Sequence, residues 1–94
     1  MHLSREVVLH KRAAKYLRKM PKLRQIEMRD ALREVSKSED INTHPNVIPM
    51  KGSSLSWSRL RVGSYRAILQ VVVIQLDDVL YVDFIGPRGG AYKK

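Results

Sequence analysis

Four arginines stand where strand-forming segments begin or end. Arg59 and Arg61 flank Leu60, Arg66 opens the apolar run that reaches Ile74, and Arg88 follows Ile85 within three residues. Side chains alternate across a strand, so Arg59 and Arg61 share one side while Leu60 and Val62 point to the other, toward a core. Pairing of the three segments brings their arginines onto one surface. Such a cluster suits phosphate, because guanidinium stays charged and offers a rigid fork of donors to anionic oxygens. Arginine is a poor proton acceptor, its pKa lying above about 12. The candidate base is Tyr92, whose phenolate is favoured by neighbouring guanidinium charge. Each residue also has a purely structural reading: ion pairs with Asp83 or Glu34 for Arg59, Arg66 and Arg88, a solvated strand position for Arg61, and packing over the helices for Tyr92. Trp57, the sole tryptophan, either anchors the core or stacks on an unpaired base. His2, His10 and His44 are scattered over the terminus, a helix start and an acidic loop, which supports neither paired-histidine catalysis nor a metal site. His44 reads as a solvated loop residue.

The elements that must position these groups follow from periodicity. Glu6-Val7-Val8-Leu9 reads as a first strand. From Lys11 to about Met20, Ala13, Ala14, Leu17 and Met20 recur at helical spacing while cations fill the other positions, and Pro21 ends that helix. A second helix is expected from about Leu23 to Val35, with Met28, Ala31, Leu32 and Val35 inward. Residues 36–49 carry turn and breaker residues and read as a loop with one short extended piece at most. Strands near 57–62, 64–75 and 79–85 complete the chain, turning at Gly63 and at Asp77-Asp78. The expectation is one α+β domain spanning residues 1–94, β-α-α-β-β-β, with a small, largely antiparallel four-stranded sheet and the two helices packed on one face.

Composition supports an anionic partner. The 94 residues hold 18 Lys+Arg against 9 Asp+Glu, a formal charge of +9, in the range of nucleic-acid binders. Charge is uneven: residues 1–24 carry eight cations and one acid, residues 25–50 are net acidic, and residues 51–94 are basic again. The absence of cysteine excludes a disulfide framework and a thiolate zinc site and fits a reducing cytoplasm. The N-terminus lacks an apolar signal core, and the longest apolar run, Val71 to Ile74, is far too short for a bilayer.

In order and spacing, the helix His10-Lys11-Arg12-Ala13-Ala14-Lys15-Tyr16-Leu17-Arg18-Lys19-Met20-Pro21, the pair Lys51-Gly52, the hairpin Arg61-Val62-Gly63-Ser64-Tyr65-Arg66, and Ile85-Gly86-Pro87-Arg88 with Tyr92 resemble the RelE/ParE superfamily of bacterial and archaeal toxins. The resemblance covers nearly the whole chain. The Arg88 to Tyr92 ending is more similar to the RelE side. It implies the toxin of a type II toxin–antitoxin pair, a ribosome-dependent endoribonuclease cutting mRNA in the A site. The alternatives are a ParE-like inhibitor of DNA gyrase and a non-catalytic nucleic-acid-binding module. The implied catalytic set is Arg59, Arg66, Arg88 and Tyr92. RNA contacts are expected from Arg61, Trp57 and Lys51, and from Lys11, Lys15, Arg18 and Lys19 on the first helix. Trp57 stands where RelE-type strands often carry a lysine. RNA brings its own nucleophile, the 2′-hydroxyl, so the expected reaction needs neither metal nor cofactor. Expected partners are an acidic antitoxin, ribosomal RNA and mRNA, with operator DNA reached only through the antitoxin complex and no membrane involved.

Overall fold

The computed structural model describes residues 4–50 and 56–87. Strand β1 (Glu6–Leu9) leads into helix α1 (Lys11–Lys19), helix α2 (Lys22–Lys37), a 3₁₀ turn (Ile41–Thr43), and strands β2 (Val47–Pro49), β3 (Ser58–Val62), β4 (Tyr65–Ile74) and β5 (Asp77–Pro87).

Local chemistry sets the helix limits. His10 caps α1, its Nδ1 accepting from the Arg12 N–H at 3.0 Å, which satisfies one of the orphan donors of the first turn. At the far end, the Gln25 side chain donates to the carbonyls of Arg18 and Met20 at 3.2 and 2.9 Å. Pro21 then starts α2. The carbonyls beyond the end of α2 are met by Arg5, whose guanidinium donates to Ser38 and, at 2.8 Å, to Glu39; a cation there also suits the helix dipole. The inward stripes are Ala13 and Leu17 on α1 and Met28, Leu32 and Val35 on α2. They pack on Val47, Leu60, Ala67, Leu69, Leu80, Val82 and Ile85 to form the core between helices and sheet. Leu17 is 1% exposed, so its truncation to alanine costs about 2–5 kcal/mol.

The α+β class holds, and the sheet is largely antiparallel as expected, but it has one strand more than the four expected and one parallel pairing. It has five strands in the order β1-β5-β4-β3-β2 and is mixed. β1 pairs parallel to β5 (Val7 opposite Leu80, Leu9 opposite Val82), and the other pairings are antiparallel. The fifth strand is β2, the one short extended piece allowed within the loop segment, which joins the sheet. Its three residues are too few to show alternation, and they are held by pairing with β3 and by the Ser58 hydroxyl, which donates to the Asn42 side chain at 2.8 Å. The last turn also moves: Ile74 pairs with Asp77, so Gln75 and Leu76 form it, and Asp77-Asp78 opens β5. His44 is likewise not solvated. Its side chain is 9% exposed, with Nδ1 accepting from the Asn46 N–H and Nε2 facing Glu34 at 3.0 Å.

One irregularity shapes the site. Ile68 pairs with Phe84 and Leu69 with Val82, leaving Asp83 as an extra residue in β5. A bulge of this kind reverses the alternation of side chains. Leu80 and Val82 therefore face the helices on one side of it, and Ile85 on the other. Asp83 turns toward α1, where Arg12 binds its carboxylate at 2.6 Å and its carbonyl at 3.1 Å.

Candidate functional site

The sheet face turned away from the helices follows from the register. Leu60 and Ala67 are opposite one another in the core, so their neighbours in sequence lie on the other face. Three of the rows that cross that face hold the candidate residues. In the first, Arg61 lies opposite Arg66, and Arg66 opposite Gly86. In the second, Ile48, Arg59, Ile68 and Phe84 are in line. In the third, Gln70 lies opposite Tyr81, and Tyr81 beside Val8. Trp57, just before β3, joins the third row through its ring, 6.4 Å from that of Tyr81 and tilted by 50°.

Local sequence explains how the arginine row is presented. Gly63 has φ +56° and takes the first central position of the two-residue turn between Val62 and Tyr65, where left-handed backbone is required and glycine carries no steric cost. That tight turn fixes the register and so sets Arg61 against Arg66. Across from Arg66, Gly86 has no side chain, and the Phe84 ring fills the space: a Cβ at Gly86 lies 2.7 Å from the ring's Cε2 and Cζ.

Electrostatics distinguish the arginines. Directly opposed residues on paired strands have Cα atoms about 5 Å apart, and like charges in that position repel. The carboxylates named in sequence as structural partners are engaged elsewhere, Asp83 with Arg12 and Glu34 with His44. Among the described residues no ion pair reaches Arg59 or Arg61. Arg61 is exposed and Arg59 half-buried, while Arg66 is only 9% exposed. Removal from water strengthens the attraction of a guanidinium for an anion brought to it. The rows thus form a cationic end, Arg59, Arg61 and Arg66, and an aromatic and amide end, Trp57, Gln70 and Tyr81.

A chain of the archaeal RelE–RelB complex from Pyrococcus horikoshii superimposes with a TM-score of 0.71 at 28% identity, over 95% of this chain and 100% of that one. The chain is RelE-like. Escherichia coli toxin RelE in a mutant free state gives a TM-score of 0.68 at 23% identity, over 95% of this chain and 88% of that one. A chain of the RelB–RelE antitoxin–toxin complex from Methanococcus jannaschii gives 0.68 at 20% identity, over 90% and 94%. No protein-family model matches the sequence, and no curated protein is significantly similar to it.

Within this RelE-like fold, Arg59, Arg61, Arg66 and Trp57 come together on one face. Lys51, Arg88 and Tyr92 lie outside the described residues. Lys11, Lys15, Arg18 and Lys19 are exposed on α1, whose buried side is the core, so they belong to the opposite layer of the RelE-like chain. Gln70 and Tyr81 escaped the sequence reading. The available signal is a lone glutamine in the apolar stretch of β4 that follows Arg66, and it acquires a direction only once the register is known. Among the described residues, no helix is long and apolar enough to cross a membrane.

Proposed function

We propose that this chain is the toxin of a type II toxin–antitoxin pair and acts as a metal-independent endoribonuclease on ribosome-bound mRNA. The observation that carries the reading is the row of Arg61 opposite Arg66 with Arg59 one row away on the same face. Phosphate matches guanidinium geometry, and neighbouring arginines on one face can bind its oxygens from more than one side. In the proposed reaction the RNA 2′-hydroxyl gives up its proton and attacks the adjacent phosphorus, the bond from phosphorus to the 5′-oxygen breaks, and the products are a 2′,3′-cyclic phosphate and a 5′-hydroxyl that takes up a proton. The arginines stabilise the charge that builds on the phosphoryl oxygens, a contribution of about 3 kcal/mol per donor. Arg88 adds a further donor, Tyr92 receives or positions the proton, and Lys51 extends the contact to RNA. The α1 cations hold ribosomal RNA from the other layer. The RelE side of the superfamily is favoured over a gyrase inhibitor because the face is built for phosphate.

The proposed antitoxin is an acidic segment that folds on binding. A groove between β1 and α2 suits it, with Val7, Leu9, Leu17 and Leu32 as apolar floor and Arg29 and Lys37 at the rim. β1 is an edge strand, so its outer backbone is available for strand addition.

Primer extension on a translated message tests the reading. New 5′ ends within codons, present only when ribosomes are added, are the expected result. Intact translation together with inhibited supercoiling selects the gyrase alternative. RNA binding with a steep salt slope, without toxicity, selects the binding module.

A further inference from the structure

We infer that Trp57, Gln70 and Tyr81 form a subsite that holds and reads one unpaired RNA base beside the arginine rows. The inference rests on the RNA-cleavage reading of those arginines and deepens it by separating base recognition from phosphate binding. The Trp57 and Tyr81 rings stand 6.4 Å apart on the face turned away from the helices, and Gln70 lies directly opposite Tyr81. All three are half-buried rather than enclosed. Among the described residues, the indole N–H, the Gln70 amide and the Tyr81 hydroxyl have no hydrogen-bond partner. A core aromatic or a buried glutamine satisfies such groups internally, so three polar tips without a protein partner on one row can bond to water or to a ligand that displaces it.

Spacing supports the same ligand. Residues 57, 59 and 61 advance along the strand in steps of roughly 6.6 Å, which places the aromatic row two steps from the Arg61–Arg66 row. A nucleic-acid strand laid along β3 with phosphate on the arginines then sets a neighbouring base over Trp57. Aromatic rings accept any base by stacking, whereas an amide with one donor and one acceptor distinguishes base edges. Trp57 and Tyr81 thus supply affinity, and Gln70 supplies discrimination.

Trp57 is the only tryptophan, so tryptophan emission, excited at wavelengths that tyrosine does not absorb, reports this subsite alone. The probes are short single-stranded RNA oligonucleotides of each base, an abasic ribose-phosphate oligonucleotide, and inorganic polyphosphate. Saturable quenching by base-bearing RNA is expected, with little change from the abasic chain or polyphosphate, which engage only the arginines. Gln70→Ala should change the rank order of the four bases while retaining the quench. Tyr81→Leu should weaken binding about tenfold. On ribosomes, Gln70→Ala should redistribute the cut sites among codons. Equal quenching by the abasic chain overturns the subsite, as does an unaltered cut-site pattern in both Trp57→Leu and Gln70→Ala. An absence of quenching by any RNA, in a protein that still cuts mRNA on ribosomes, also overturns it and leaves the cleavage reading standing. Base-dependent quenching by a protein that leaves translation intact does the reverse.

Discussion

Arg61 and Arg66 face one another across a strand pair, but water reaches them unequally. Arg61 is exposed, so Arg61→Ala should leave stability within about 0.5 kcal/mol while lowering mRNA cleavage about 100-fold, the usual loss for one transition-state donor. Arg66 is 9% exposed, and its aliphatic stem packs as well as its head group binds. Arg66→Ala should therefore show a similar loss of cleavage together with about 1–3 kcal/mol of lost stability, read by denaturant unfolding. Undiminished toxicity in both variants at matched protein levels displaces the site from this face. A second residue-scale effect is pH-dependent. Burial, and then the nearby Tyr65, raise the Tyr16 pKa above 10.0. The folded state holds this proton more tightly than the unfolded chain, so stability is full below about pH 10 and falls as pH rises through the raised pKa. Tyr16→Phe should flatten that alkaline limb relative to the parent in thermal melts across pH 9–12; superimposable limbs would remove Tyr16 as its source.

The two antiparallel hairpins solve the same geometric problem with different residues. Gly63 gives the first hairpin its positive φ without strain, which is why that turn was legible from sequence. In the second, Gln75 and Leu76 take φ of 51° and 72°, and side chains at such angles cost on the order of 1 kcal/mol each. Nothing in the types of those two residues announces a turn, whereas Asp77-Asp78 does, and the turn therefore lies two residues before the position that composition suggests. Leu76 is also 96% exposed, so it gains no burial to offset the strain. Leu76→Gly should raise stability by about 0.5–1 kcal/mol, seen as a higher Tm, while Gly63→Ala should lower it by about 1 kcal/mol. A destabilising Leu76→Gly would mean that the leucine contributes more to the hairpin than its backbone costs. The bulge at Asp83 was equally hidden. Val79 to Ile85 reads as one apolar run, and a run with apolar residues on both faces does not disclose where the alternation slips.

At the scale of the molecule, charge is divided between layers: the arginine rows lie on one side of the sheet, and Lys11, Lys15, Arg18 and Lys19 on the helices that cover the other. Lys15→Ala should weaken ribosome binding modestly and reduce the slope of log affinity against log salt by about one, with cleavage of already bound message unchanged. A slope identical to the parent removes Lys15 from the ribosomal contact. The two helices, the first strand, the Gly63 turn and the inward apolar stripes are readable without a structure, because each arises from spacing within a few residues of chain. So is the side of β3 that carries Arg59 and Arg61, since alternation is a local rule. The place of β5 between β1 and β4, parallel to one and antiparallel to the other, emerges only on folding. That choice is made by contacts between residues more than 70 positions apart, such as Val7 with Leu80, which no local pattern encodes. The same pairing, with its bulge, decided that Gln70, Tyr81 and Trp57 share a row, because the row exists only when strands distant in sequence are set side by side in one register.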